Sequence, residues 1–106
     1  MKCLDDVKKA LLTVSDKVWH YYAPSTDMPY IVWAEDGGGR QANADNRVQI
    51  QAIQGSIDYY TKNEKDPNIE KIPNALNTFG ISFYLNTVQY EDETKAIHYE
   101  WVFEVS

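Results

Sequence analysis

The strictest hydrophobic pattern in the chain lies in residues 97–105, where five apolar side chains alternate with His98, Glu100 and Glu104. Successive side chains of a β-strand point to opposite faces, so this pattern predicts a strand with one face in a core and the other in water. A sheet covered on one face needs a second layer of structure to cover it. The apolar members of the pattern are Ile97, Tyr99, Trp101, Phe103 and Val105.

Residues 4–14 have the spacing of an amphipathic helix that would supply this second layer. Leu4, Val7, Leu11 and Val14 fall on one helical face. Acidic residues precede lysines along the segment, an order that suits the helix dipole. The pattern predicts a helix that packs on the sheet.

A second helical pattern occupies residues 62–80. The Asp66-Pro67 pair is typical of a helix start, and Gly80 is typical of a helix end. Pro73 conflicts with an early start, because proline inside a helix costs about 3 kcal/mol. We expect the regular part to begin near Ile69, with Pro73 in its first turn; a kinked helix is the alternative. The apolar face consists of Ile69, Ile72, Leu76 and Phe79.

Four further segments have the composition of strands: residues 18–22, 30–35, 47–61 and 81–90. Together with the final strand they predict a single α+β domain over residues 1–106, with the element order α-β-β-β-α-β-β. We expect a mostly antiparallel, meandering sheet with both helices packed on one face.

Two of these strands carry irregular patterns. Residues 30–35 do not alternate, so both of their faces should be covered. In residues 47–61 the apolar positions change phase between Ala52 and Ile53, which predicts a bulge or bend near Gly55.

Between two strands, residues 36–46 contain three consecutive glycines and almost no apolar side chain. Such a segment predicts a mobile loop, and it is longer than a hairpin needs. One interpretation is a tolerated insertion. The other is a docking loop that becomes ordered on a partner, with the candidate residues Gly37, Gly38, Gly39, Arg40, Gln41, Asn43 and Asn46.

Composition argues against several functional classes. The net charge of −6 disfavours tight binding to phosphate backbones. Cys3 is the only cysteine, so an internal disulfide cannot form. His20 and His98 lack a third metal ligand at a suitable spacing, and the acidic residues 91–93 are typical of a solvated turn. We therefore expect no enzyme, no catalytic residues, no metal and no cofactor, and no apolar run is long enough for a membrane span.

Aromatic residues make up 13% of the chain, more than one covered sheet face readily absorbs. Exposed aromatic side chains on a small protein are typical of protein interfaces. We expect self-association through the uncovered sheet face and the sheet edges. Tyr30 and Trp33 are the candidate subunit-interface residues, with Arg47 as a charged partner at the rim.

Over its full length the chain resembles the tail-completion proteins of long-tailed phages and of prophages in Gram-positive hosts, also called tail-terminator or neck proteins. The resemblance is carried by the order of the elements and by four stretches, LDDVKKALLTVSDKVWHYYAP, PYIVWAEDGGG, VQIQAIQGSIDYYTK with its DPNIEKIPNAL continuation, and VQYEDETKAIHYEWVFEV.

This resemblance implies a structural role without catalysis. Such proteins form rings on the finished tail tube, usually of six subunits, which end tube polymerisation and offer a surface to the head-side connector. The implied partners are the chain itself, the tail tube protein and the connector protein, and DNA passes through without specific binding. The implied location is the host cytoplasm during assembly and then the virion neck.

Two alternatives remain open on the sequence alone. The first is a head-side completion protein or a minor capsid protein. The second, from another class, is a small ligand-binding α+β module with a pocket between sheet and helices, lined by tyrosine and tryptophan. The oligomeric state would separate a ring subunit from a monomeric binding module.

Overall fold

The elements follow the predicted order along the chain. The computed structural model describes residues 3–44 and 47–106, with side chains described for residues 3–36 and 52–106. These residues form a single α+β domain, as predicted. Its elements are α1 (Leu4–Leu12), β1 (Val18–His20), β2 (Tyr30–Ala44), β3 (Arg47–Thr61), α2 (Asn68–Thr78), β4 (Ser82–Glu91) and β5 (Ala96–Val105).

The five strands form one sheet in the order β1-β2-β3-β5-β4. β1 is parallel to β2, and the other neighbouring pairs are antiparallel. The predicted meander is therefore wrong at β1, which is parallel to β2, and in the second half of the chain. After β3, α2 leads the chain to the outer edge of the sheet, and β5 returns between β4 and β3.

The core lies between the helices and one face of the sheet. Val7 and Leu11 of α1 and Ile72 and Leu76 of α2 are fully buried. They belong to one apolar cluster with residues from three strands, which confirms that both helices cover the same face. The buried strand residues of this cluster are Ile31, Trp33, Ile57, Tyr59, Trp101, Phe103 and Val105.

β2 and β3 continue well beyond the rest of the sheet. Their pairing runs out to Ala44 and Arg47, whereas β3 pairs with β5 only from Ile53 onward. Residues 37–44 and 47–51 therefore extend as a two-stranded ribbon. The segment 37–51 is here named the arm, and its residues 45 and 46 lie outside the described residues. The predicted loop is wrong for residues 36–44, which form the distal part of β2.

The irregularities of the hairpin lie on β2. Register shifts separate Glu35 from Gly38, Gly38 from Gln41, and Ala42 from Asn43. The irregularity predicted near Gly55 is present in the pairing with β2, because the first register shift lies between the partners of Gly55 and Ile53. The extra residue belongs to β2, and the pairing of β3 with β5 is regular from Ile53 to Thr61. The phase change in the sequence coincides with the position, before Ile53, at which β3 no longer pairs with β5.

Gly55 also has a packing role. It pairs with Glu35 on one side and with Phe103 on the other. A Cβ atom at this position would meet the backbone carbonyl oxygen of Ala34, and it would lie 2.5 Å from the Phe103 ring. The absence of a side chain lets the buried Phe103 ring lie against the backbone of β3.

We predict that Gly55→Ala destabilises the fold by about 3 kcal/mol, because neither the backbone oxygen nor the enclosed ring can move away at low cost. Urea unfolding followed by circular dichroism measures this change. The control Ser56→Ala lies on the same strand, adds no atom and should change the unfolding free energy by less than about 1 kcal/mol. Equal stability of Gly55→Ala and the control would contradict this packing role.

A buried carboxylate joins β3 to α2. Asp66 is 9% exposed and accepts hydrogen bonds from Tyr59 Oη at 2.6 Å and Thr61 Oγ1 at 2.7 Å, both on β3. Its second oxygen accepts the backbone N–H of Asn68, the first residue of α2, at 2.9 Å. Burial would raise the pKa of Asp66, but the bonds from Tyr59, Asn68 and Thr61 together lower it. The carboxylate therefore stays ionised and fixes the start of the helix.

The helix begins close to the predicted position, but Pro73 lies in its interior and not in its first turn. The first turn is formed earlier because Asp66 holds the N–H of Asn68, and the carbonyl of Pro67 accepts the N–H groups of Glu70 and Lys71. This anchored start offsets the hydrogen bond that Pro73 cannot make.

We predict that Asp66→Asn lowers the unfolding free energy by about 2–3 kcal/mol at neutral pH, because charge-assisted bonds are lost and an amide donor faces two hydroxyl groups. The folded pKa of Asp66 lies below its unfolded value, so its stabilisation is present above about pH 4 and is lost as the pH falls through the folded pKa. Urea unfolding at several pH values should show the difference between wild type and variant shrinking in acid. Asp92→Asn in the exposed turn serves as the control; an equal loss in both variants would contradict the role of Asp66.

Candidate interaction surface

The side chains of the two aromatic residues predicted to form a subunit interface are buried within one subunit. Trp33 is 4% exposed and faces the helices, with its ring centroid 6.5 Å from that of Phe103. Tyr30 is 9% exposed on the opposite face and stacks on Tyr60 at 4.8 Å. The expectation that both faces of this strand are covered holds for Trp33 and Tyr30, and the chain itself provides the cover, while Val32 and Ala34 are only half-buried. Arg47 begins β3 in the arm, and its side chain lies outside the described residues.

The alternative prediction placed a ligand pocket between the sheet and the helices. In the described residues this space is filled by packed side chains such as Leu11, Ile57 and Leu76. A concavity of about 700 Å³ lies elsewhere, beside Pro29, Thr61 and Asp66, and its described lining contains no tyrosine or tryptophan. Over the described part of the chain, no group of three or more His, Cys, Asp or Glu side chains is placed to hold a metal ion.

Exposed apolar side chains concentrate on β4, the outer strand of the sheet. Tyr84 and Leu85 lie on opposite faces, since they pair with Val102 and Trp101 respectively. The side chains that are 50–59% exposed on this strand, here named the β4 edge, are Tyr84, Leu85, Val88 and Tyr90.

The β4 edge has one irregularity but lacks most of the usual protection of an outer strand. Natural edge strands avoid further pairing through lysine, proline, very short length or bulges. β4 has ten residues, and between Ser82 and Tyr90 it contains no charged residue, proline or glycine. One register shift, between Leu85 and Thr87, is its single irregularity in the pairing with β5. A second strand could therefore add here and cover apolar side chains on both faces.

The face of the sheet away from the helices carries a row of stacked rings. Tyr60 stacks on Tyr30 and, at 4.2 Å, on His98. His98 Nε2 donates to Asp58 Oδ1 at 2.6 Å, and Glu91 lies 4.0 Å from the other ring nitrogen. The bond to Asp58 raises the pKa of His98 against the opposing effect of burial, and the charges of Asp58, Glu91 and Glu100 also raise it. Burial raises the pKa of Tyr60 to about 12.

We predict a pH dependence from this pair. The folded pKa of His98 is raised, so its stabilising contribution is fully present below the unfolded value of about 6.5 and is lost as the pH rises through the folded pKa. An NMR titration should place the His98 midpoint above that of an unfolded peptide, and Asp58→Asn should lower it. Glu100→Gln is the matched control with a smaller expected shift, because Glu100 contributes least. An unshifted midpoint in Asp58→Asn would contradict the assignment.

A second cluster sits where the arm leaves the sheet. His20 Nε2 donates to Glu35 Oε1 at 2.7 Å, and the His20 ring stacks on Trp33 at 4.0 Å and on Tyr21 at 4.1 Å. The bond from His20 lowers the pKa of Glu35. Tyr21 has a φ of 75°, a conformation that costs a non-glycine residue about 1–2 kcal/mol. Its backbone N–H is bonded to the Trp33 carbonyl at 2.9 Å, which holds this turn in place.

The predicted docking residues all fall in the arm or at its tip. Gly38 pairs with Ile53, Gln41 with Gln51 and Asn43 with Val48, so their backbones belong to the ribbon. Gly37, Gly39 and Arg40 lie on the same strand, while Asn46 lies outside the described residues. Their docking role stays a prediction, now for a projecting β-ribbon instead of a loop.

The sequence contained a signal for the β4 edge that the predicted interface did not use. Residues 82–90 carry apolar side chains in both phases of a strand and no charge. Such a segment resembles a buried strand, yet it lies at the edge of the sheet because α2 carries the chain there. The order of strands, a tertiary property, turns this apolar strand into an exposed surface.

Comparison with known proteins yields no family model and no curated protein that matches this chain. Within the described ranges, no helix has the length and apolar character needed to cross a membrane. Function must therefore be inferred from the β4 edge, the arm and the charges of the chain.

Proposed function

We propose that this chain is a structural subunit of phage assembly that forms a homo-oligomeric ring at the head–tail junction. In this role the ring caps the tail tube and joins it to the head-side connector. The proposal comes from the resemblance of the whole chain to tail-completion proteins. The structure adds the observation that carries it: one subunit has both a projecting ribbon and a long outer strand with exposed apolar side chains.

The arm and the β4 edge are typical of a subunit whose strands pair and pack with other subunits in an assembly. A two-stranded ribbon alone is marginally stable in water, so the arm is expected to gain stability by packing on a partner. The β4 edge exposes unpaired backbone groups beside Leu85 and Val88, which favours strand addition. An isolated catalyst or carrier has no need of either feature.

The charge of the chain is compatible with a channel through which DNA passes. The net charge of −6 disfavours tight binding to phosphates. Acidic side chains such as Asp58 and Glu100 lie on the sheet face away from the helices, where they would repel nucleic acid. This supports a ring around DNA that does not hold it.

A head-side completion protein or minor capsid protein is the second candidate. It shares the need for self-association and for a docking surface, so the β4 edge and the arm support both. The distinction is the partner: a tail-completion protein binds the end of the tail tube, and a head-side protein binds the portal or capsid.

The experiment that tests the proposal combines light scattering with electron microscopy. At high concentration, or with purified tail tubes added, the chain should form species of several times 12.2 kDa that appear as rings or as caps on tube ends. Tails assembled without it should exceed their normal length and fail to join heads. A monomer that neither forms rings nor binds tubes would contradict the proposal.

We predict that an arm-shortened chain, with residues 39–51 replaced by Asn-Gly, keeps its fold but loses capping. The core lies outside the arm, and a two-residue turn is sufficient to join two strands. Thermal melts should stay close to wild type, while tail lengths become unregulated. The control changes Asp92 and Glu93 of the exposed turn to alanine and should cap normally. Normal tails from the shortened chain would show that the arm is a passive insertion.

A further inference from the structure

The outer side of β4 and the two sides of the arm are all without a neighbouring strand among the described residues. β4 is the last strand of the sheet on its side. In the arm, β2 has passed its last pair with β1, between Trp33 and His20, and β3 has passed its last pair with β5, between Ile53 and Val105. Backbone N–H and C=O groups on these sides need water or another strand.

The two surfaces match in length. β4 spans ten residues, and β2 contributes eight residues to the arm, at positions 37–44. At roughly 3.4 Å per residue, these are segments of about 34 and 27 Å, so the arm is long enough to lie along most of β4. The arm also leaves the sheet at the end where β4 begins, because Ile53 and Ser82 pair with the last residues of β5.

Charge favours the arm over a second β4 as the strand that pairs with β4. Both arginines of the chain, Arg40 and Arg47, lie in the arm, where Asp45 is the only acid, so residues 37–51 carry 2 − 1 = +1. The rest of the chain then carries −6 − 1 = −7. Two copies paired through β4 would bring together two bodies that each carry −7 outside the arm. Pairing through the arm instead brings a segment of opposite net charge to the acidic body of the neighbour.

Pairing of β4 with β4 and pairing of the arm with β4 also differ in the symmetry of the assembly that they build. Contact between two β4 strands is self-complementary and stops at a dimer. Contact between the arm of one copy and β4 of the next is head-to-tail, and such contacts close into rings when the rotation allows. A head-to-tail contact is therefore the one that suits a ring.

We infer that the arm of one subunit adds to the β4 edge of the next copy, so that the sheets of neighbouring subunits become continuous. This inference rests on the proposed ring and names the surfaces that build it. The ribbon covers Leu85 and Val88 on one face of β4 and Tyr84 on the other. Each subunit then donates one arm and receives one.

Cross-linking between single-cysteine variants tests this contact directly. In a Cys3→Ser background, Val88→Cys on the β4 edge and Ala42→Cys in the arm are made on chains of different tag length, mixed and treated with a short bismaleimide. The expected product is the mixed dimer of the two variants. Leu12→Cys on α1, which is 46% exposed, replaces Val88→Cys in the control and should give no mixed product with Ala42→Cys.

A second measurement blocks the edge without using cysteine. Leu85→Lys with Val88→Lys should weaken self-association by more than about tenfold, because lysine is the residue by which natural edge strands resist pairing. Leu12→Lys is the matched control, with similar exposure on a helix, and should associate normally. Circular dichroism and thermal melts establish that each variant is folded.

The outcomes separate this inference from the proposed function. Cross-linking of Val88→Cys with itself in place of Ala42→Cys shows β4–β4 pairing and overturns the inference. Rings that form without the mixed product, or that survive both lysines, overturn it while the ring function stands. A chain that stays monomeric, alone and with tail tubes, overturns both.

Discussion

The arrangement of the two layers depends on the carboxylate of Asp66. Its oxygens accept two hydroxyl groups from β3 and the first backbone N–H of α2, so one buried side chain joins the sheet to the helix. An ionised group is costly to bury unless every lone pair is used, and other positions of α2 would leave it unsatisfied. The carboxylate therefore fixes where α2 begins, and this in turn places Ile72 and Leu76 over the sheet.

The position and length of the helices explain why part of the sheet remains bare. α1 and α2 have nine and eleven residues, or about 14 and 17 Å at the helical rise, whereas β4 spans about 34 Å. The helices cover the middle strands around Ile57 and Trp101 and meet β4 near its start. Leu85 and Val88 lie on the same face but beyond this cover. Their exposure follows from the dimensions of the fold and requires no special local conformation.

Much of this fold follows from hydrophobic period alone. The alternation in β5 and the helical spacing in α1 gave correct elements, and the bounds of β3 agree with the prediction, because period reports which face is buried. The period of the apolar residues does not show whether the same chain or a partner covers that face. Trp33 was therefore assigned to a partner although the helices cover it, and the glycine-rich part of β2 was assigned to a loop although β3 pairs with it. The β4 edge depends on strand order, which no local pattern encodes.

The two edges of the sheet differ in a way that bears on assembly. β1 has only three residues, and Tyr21, with its positive φ, turns the chain away from the edge. The His20 ring, stacked on Trp33 and bonded to Glu35, fixes this edge beside the root of the arm. The opposite edge is ten residues long, and it carries no charge from Ser82 to Tyr90. The two sides of the sheet therefore differ: one edge is short and fixed, the other is open, and a ribbon projects from the sheet. The arm and the β4 edge complement each other better than either complements a second copy of itself. This favours head-to-tail over two-fold association.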